Sequence, residues 1–463
     1  MKRVHVANMP IRSIVIANIA EFNRRTMVKG FSQNEFIPWD EAGVTLTDIS
    51  LFWCGDDKVV VLPGPPDETF LSDLTKSLGY KNVKVVWPKI MSYSICDDII
   101  NDKELFETLV QIIRNSDMPR IVSWGATTQF YSLLNELTLA GVHFVVPEIP
   151  ESSNYWTALY FESKSGFREF ATREAPILNI PEGFVCGNKD VALDAIAYFS
   201  KKGRGFVLKA NYGTGGFSTM CYPANLTDRG FEQLRKEVAH RMAFDHFWDN
   251  PPVIIEEHIP GTENLLPISL TIDFCINQDG LLNKVGCGKM LMRRGWLYAG
   301  IHCGKGVLDN DTENKMTRAG FYIGEQMAKM GYRGWFDVDF VQRWDGEIFL
   351  TEINARRASP VHIFDIALQI HGEHWEREWS LYANDHFYLQ GACQPSYTKI
   401  RDAIADFNNN DFSVKTIPTI ISTAVTRKNP FIGYVIIAPN ASAASSYATL
   451  LETQIKQIIG MSN

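Results

Sequence analysis

Residues 334–357 read GWFDVDFVQRWDGEIFLTEINARR. Two β-type runs flank Asp345-Gly346, the strongest short signal for a hairpin. With those two residues as the loop, Asp339 lies opposite Glu352 and Asp337 opposite Asn354. Side chains alternate along a strand, so these four share one face. Val338, Phe340, Phe349 and Ile353 are left for a core face. Directly opposed carboxylates repel, at a cost of roughly 0.2–1 kcal/mol even on an exposed sheet. A strand pair with a sound apolar face that keeps them together calls for a cation. Magnesium takes oxygen ligands and is commonly held by one or two carboxylates plus substrate phosphates. Asp339, Glu352 and Asn354 therefore read as a Mg2+ site serving a nucleotide.

Composition narrows the setting. The 463 residues suffice for two to four domains with ordinary cores. The formal net charge of -8, with no long basic run, argues against nucleic acid as a partner. The eight cysteines are dispersed and form no CxxC pair, so structural zinc and a disulfide framework are not expected. A reducing cytoplasm fits best. The apolar run Ser13–Ala20 is too short and too soon interrupted for a signal peptide or membrane span.

Residues 1–150 alternate strand and helix patterns. Lys58–Leu62, Val83–Trp87, Arg120–Ser123 and Val142–Val146 are strand-like, with helical patterns at Leu71–Leu78 and Lys103–Ile113. This alternation predicts a parallel α/β layer. No GxGxxG follows any of these strands, so the dinucleotide fingerprint is missing. Pro147 to Asn154 reads as a linker, 155–380 carries the motifs, and 381–463 is a smaller tail. The tail shows strand patterns at Thr416–Val425 and Tyr434–Ile437 and a helical one at Ser445–Ile459.

Two further segments carry chemistry. Phe206–Lys209 is a strand ending in a lysine, followed at once by a loop holding Gly213, Gly215 and Gly216. Glycines let backbone N–H groups approach a phosphate, and the lysine adds charge. No Walker A pattern is present, and alone this loop reads as a simple turn before a phosphate loop. Val253–Glu257 is an apolar strand running into His258-Ile259-Pro260-Gly261-Thr262-Glu263. Backbone groups there can pair with an adenine edge, and an acid beyond can accept from ribose hydroxyls.

Lys164 in SKSGFREF, Lys209 with its glycine loop, EEHIPGTE at 256–263 and D-x12-E-x-N-x-R from Asp339 occur in that order. The ordered set resembles the ATP-grasp superfamily of carboxylate–amine ligases. The layout more narrowly resembles peptide ligases of the pheganomycin type, which carry an N-terminal pre-ATP-grasp domain. The resemblance implies a Rossmann-like α/β domain (1–150), a two-subdomain ATP-grasp fold (155–258 and 259–380) and a small C-terminal extension (381–463). It implies that Lys164 and Lys209 touch the phosphates of ATP and that the Gly213–Gly216 loop closes over them. Glu256, Glu257 and Ile259 would frame adenine, Glu263 would bind ribose, and Asp339, Glu352 and Asn354 would hold Mg2+. Arg356 matches the arginine that stabilises developing negative charge.

Lys284, Lys289, Arg293 and Arg294 compete for one further basic position, taken here as Arg293. An inserted helix is expected between Asp228 and Pro252. The implied activity is ATP-dependent, ADP-forming ligation of a carboxylate, amino-acid or peptide in nature, to an amine through an acylphosphate. A phosphotransferase or a catalytically silent nucleotide-binding module are the alternatives. The expected partners are small-molecule or peptide substrates and, for assembly, a second copy of the chain in a homodimer.

Several features invite a grander reading than they support. His371 and His374 carry no HExxH pattern, and Cys287 and Cys303 read as buried inert thiols. Trp296, Tyr298 and Trp335 read as core before pocket, and Arg294 and His302 as solvated groups before substrate ligands.

Overall fold

A computed structural model of the chain describes residues 11–25, 40–173, 178–213, 215–216, 218–227, 230–244, 246–261, 266–389, 396–410, 414–421 and 431–458. Four short β-branched runs, Ser13–Ile16 (β1), Lys58–Val61 (β2), Val83–Val86 (β3) and Arg120–Ser123 (β4), pair in parallel in the order β3-β2-β1-β4. Burial explains their composition. β1 and β2 are buried along their whole length, as parallel strands covered by helices on both faces must be. The apolar run at the N-terminus is thus a central strand. Val142–Val146 does not become a fifth strand: it makes one bridge, Arg120 to Val145, before Pro147 removes the next donor.

A second sheet is antiparallel. Gly183–Cys186 (β5), Phe206–Ala210 (β6), Thr219–Tyr222 (β7) and Val253–Glu257 (β8) lie in the order β5-β8-β6-β7. The helix Phe231–Met242 fills the expected insertion and packs its Leu234, Val238 and Met242 into that sheet's core.

The third sheet has eight strands: Ile268–Ile276 (β9), Leu282–Arg293 (β10), Leu297–Gly304 (β11), Gly334–Gln342 (β12), Ile348–Asn354 (β13), Ser380–Tyr388 (β14), Lys415–Ile420 (β15) and Phe431–Ala438 (β16). Their order is β13-β12-β9-β10-β11-β14-β16-β15, so the C-terminal tail extends the sheet that holds the hairpin. The 20-residue helix Asn310–Lys329 covers one face through Met316, Ile323 and Met327. Gly320 permits that approach, because a Cβ there would lie 2.1 Å from the Phe274 ring.

The hairpin differs from its prediction in an instructive way. The turn closes with Arg343 N–H donating to the Glu347 carbonyl, and Gly346 takes a positive φ of 84°. The loop is therefore three residues long, not two. Phe340 then pairs with Leu350 and Val341 with Phe349. A bulge at Thr351 restores the predicted register beyond it, so Asp339 faces Glu352 and Asp337 faces Asn354. Between loop and bulge the faces are exchanged. Leu350 takes the core place expected of Phe349, whose ring instead lies under the Arg343 guanidinium.

The parallel sheet is fastened to the hairpin by Arg357. Its guanidinium sits between the rings of Trp53 (4.8 Å) and Trp335 (4.3 Å) and pairs with Glu148, while its backbone N–H donates to the Trp124 carbonyl at 2.9 Å. Removing one partner of a buried pair leaves the other charge uncompensated. Arg357→Met is expected to lower the unfolding free energy by roughly 3 kcal/mol or more in urea titrations; an unchanged midpoint would show that this contact fastens nothing.

Candidate functional site

One cleft of about 820 Å³ lies between the two antiparallel sheets and the C-terminal ends of the parallel strands. Lys209 of β6, Glu256 and Glu257 of β8, and the glycines at 213, 215 and 216 line one wall. Thr271 of β9, Asp337 and Asp339 of β12, and Glu352 and Asn354 of β13 line the other. Ile259 and Arg356 complete the convergence, and Trp124 reaches in from the loop after β4. Arg293 is not among the lining residues: its guanidinium lies 4.2 Å from the Tyr388 ring. Glu263 lies outside the described residues.

Lys164 begins the helix Lys164–Arg173, which Asn211 ties to the glycine-loop strand. Asn211 accepts from the N–H of Lys164 through its backbone (3.0 Å) and from that of Ser165 through its side chain (2.9 Å). Lys164 Nζ is thereby held 2.7 Å from Glu352 Oε1. Lys209 Nζ sits 2.5 Å from Glu256 Oε1 and donates to the Thr351 carbonyl at 3.3 Å, the residue freed by the bulge. Arg168 takes the other oxygen of Glu256 at 3.0 Å. Arg356 lies 3.3 Å from Glu162 Oε1 and donates to Asn354 Oδ1 at 3.1 Å. Asn354 in turn donates to Asp339 Oδ2 at 3.3 Å.

The carboxylates are unevenly served. Burial pushes Glu352 up, but Lys164 and Lys209 outweigh it and hold its pKa below the usual value. Asp339 has no such partner; burial first, and the facing Glu352 second, push it up to about 7. Asp337 and Asp273, which pair with each other across β12 and β9, are raised well above the carboxylate range by burial and by neighbouring acids. Among the described residues, Asp339 Oδ1, Asp337 Oδ1 and Asp273 Oδ2 are buried atoms with no hydrogen-bond partner. Unpartnered buried acceptors on one face fit a cation. Among the described residues no three His, Cys, Asp or Glu side chains form a ready-made metal cage. That suits magnesium, which completes its shell with phosphate and water.

Gly215 and Gly216 carry positive φ, and the loop is docked on the turn between β10 and β11. Tyr298 N–H donates to the Gly215 carbonyl at 3.0 Å, and a Cβ at Gly216 would lie 1.8 Å from the Trp296 carbonyl. No larger residue fits there.

Asp273, Glu162 and Arg168 were missed by motif. The alternation of Ser269, Thr271 and Asp273 in an otherwise apolar strand was the available signal for the first. Trp296 and Tyr298 line the cleft, whereas Trp335 packs on the core beside Arg357. Burial pushes the Cys287 thiol up to about 12, and that of Cys303 up as well, which keeps both unreactive. Lys284 is committed to Glu313 at 2.5 Å. His302 faces Ser380 at 3.1 Å, and burial pushes its pKa down to about 4. His371 stacks on Trp379 at 4.3 Å.

No protein-family model and no curated protein matches the sequence. Solved structures do match. The ADP complex of PurK, an N5-carboxyaminoimidazole ribonucleotide synthetase, aligns over 100% of both chains at 12% identity and a TM-score of 0.54. A biotin carboxylase from Campylobacter jejuni, complexed with β,γ-ATP, aligns over 95% of this chain and 90% of its own at 14% identity and 0.54. An N5-carboxyaminoimidazole synthase from Aspergillus clavatus, bound to ADP and 5-aminoimidazole ribonucleotide, aligns over 96% and 99% at 10% identity and 0.54. The chain has the ATP-grasp fold. At such identities the likeness is one of architecture.

A carboxyl raised in the folded state adds stability below the ordinary range and loses it as pH rises through its folded pKa. For Asp339 that window runs from about 4 up to about 7. In metal-free protein, Asp339→Asn is expected to raise the melting temperature at about pH 8, by the equivalent of roughly 1 kcal/mol or more, and to change it little at about pH 5. An equal effect at both pH values, or a loss at pH 8, would show that the ionised Asp339 is not under strain from its surroundings.

Proposed function

We propose that the cleft binds ATP with Mg2+ and that the chain is an ADP-forming ligase joining a carboxylate to an amine through an acylphosphate. The observation that carries this reading is the pairing of Lys164 with Glu352 beside an uncompensated Asp339. A divalent cation on Asp339, Glu352 and Asn354 would neutralise phosphate charge during transfer. Once Glu352 turns to a cation, Lys164 is freed for a phosphate oxygen. Lys209, on β6 of the other antiparallel sheet but held against Thr351, approaches from the opposite wall. The glycine loop supplies backbone N–H groups and shields the reacting phosphate from water. Val207, Cys221, Ile259 and Phe340 offer apolar sides for adenine, and Glu257 and Ile259 its backbone edge.

Arg356 stands where developing oxyanion charge would need a cation. It is buried, stacked 5.3 Å from Trp124 and fixed by Glu162 and Asn354, so it is oriented before substrate arrives. Arg293 remains a candidate for a second basic contact from the far end of β10. Of carboxylate substrates, an amino acid or peptide is favoured by the pheganomycin-type layout of an α/β unit ahead of the ATP-grasp region. The Aspergillus clavatus structure is in complex with a different small molecule, 5-aminoimidazole ribonucleotide.

The test is nucleotide analysis with ATP, Mg2+ and pools of amino acids and short peptides. ADP and phosphate released only when carboxylate and amine are both present is the expected result. AMP and pyrophosphate would overturn the acylphosphate route, and ADP with a phosphorylated product and no need for an amine would favour a phosphotransferase. Folded Glu352→Ala is expected to lose turnover by roughly 10²-fold or more; unchanged ATP consumption would remove the site assignment.

A further inference from the structure

Part of the cleft is lined by residues of β10, β11, β14 and β16 rather than by the lysines. Met290, Met292, Tyr388 and Phe431 line it, with Tyr298, Ser359 and His386 as polar groups among them, and the Arg293 guanidinium lies 4.2 Å from the Tyr388 ring. Both hydroxyls are aimed at one buried carboxylate. Tyr298 Oη donates to Asp385 Oδ2 at 3.0 Å, and Ser359 Oγ donates to the same oxygen at 3.1 Å. Burial, and then Asp385, keep the Tyr298 pKa well above its ordinary value, so the phenol stays protonated.

Asp385 is itself fixed from behind. It is fully buried, and its Oδ1 lies 3.4 Å from Nε2 of His362, which is also fully buried. His362 Nδ1 lies 2.5 Å from the Ser359 carbonyl, an oxygen that only accepts, so Nδ1 carries a proton. Oδ2 of Asp385 accepts from the two hydroxyls.

Hydroxyls whose protons are committed to a carboxylate present only lone pairs to the cleft. Their complement is a group that donates and does not accept. An ammonium has three donors and no acceptor, and the Asp385 carboxylate behind the hydroxyls favours a cation.

We propose that Tyr298 and Ser359, held by Asp385 and His362, form the docking point for the protonated amine of an amino substrate whose side chain is apolar. This rests on the ligase reading and names its amine. Asp385 and His362 are positioning residues that act through the hydroxyls. Tyr298 also joins this point to nucleotide cover, because its backbone N–H holds the Gly215 carbonyl.

The experiment is isothermal titration of the full chain saturated with Mg·ADP, using leucinamide and phenylalaninamide against their N-acetylated forms. The free amides are expected to bind at least tenfold more tightly than the acetylated ones. Ser359→Ala and Asp385→Asn are each expected to weaken the free amides by at least tenfold while Mg·ADP affinity stays within twofold. Ser359→Ala keeps the test decisive should the buried Asp385 variant fail to fold. Equal binding of free and acetylated amides, no binding of the free amides, or full affinity in Ser359→Ala would each overturn the proposal while leaving the nucleotide reading intact. Absence of Mg·ADP binding by the wild-type chain would instead overturn the ligase reading, and this inference with it.

Discussion

Four acids, Asp273, Asp337, Asp339 and Glu352, meet on one face of the eight-stranded sheet, and three cations from different parts of the chain are drawn to them. Lys164 comes from the helix before the second sheet, Lys209 from within that sheet, and Arg356 from the segment beyond the hairpin. The charges do not balance locally: Glu352 is well served, while Asp339 is not. Buried pairs of this kind contribute little net stability, because desolvation offsets attraction. What they contribute is placement. The two walls of the cleft are held at a spacing set by lysine side chains reaching across to carboxylates and to the Thr351 carbonyl.

Thr351 links that electrostatic arrangement to backbone geometry. Without the bulge, the three-residue loop would carry the Phe340–Leu350 register through the whole hairpin, and Asp339 would face Thr351 rather than Glu352. The bulge places the acids opposite each other and leaves the carbonyl of the extra residue free to meet Lys209. It also lets Leu350 enter the core. One irregular residue therefore serves the acid pair, the lysine and the packing together.

The parts of this arrangement that were legible beforehand are those that depend on local pattern. The alternation of Asp337, Asp339, Glu352 and Asn354 around a turn, and a lysine ending a strand before glycines, are each visible within one short stretch of sequence. So are β2, β3 and β4 and the helix inserted before β8. Partnerships between distant segments left no such trace. Nothing near Glu162 announces Arg356, and nothing near Arg168 announces Glu256, since their pairing depends on how helices dock on sheets. The bulge was invisible because Thr351 is an ordinary strand residue, with no glycine or proline to mark it. Val142–Val146 has strand composition, but Pro147 and the sheet edge limit it to one bridge. The Tyr298–Ser359–Asp385–His362 group draws on β11, β14 and the segment that begins the helix Val361–His371, and only the fold brings these together.

The most direct measurement is a crystal structure of the full chain with Mg2+ and a non-hydrolysable ATP analogue. The account predicts a cation on Asp339 and Glu352, the Lys164–Glu352 contact of 2.7 Å exchanged for contacts to phosphate, and the glycine loop over the phosphates. A nucleotide seated outside this cleft, or phosphates in the cleft with no cation on the opposed carboxylates, would contradict it.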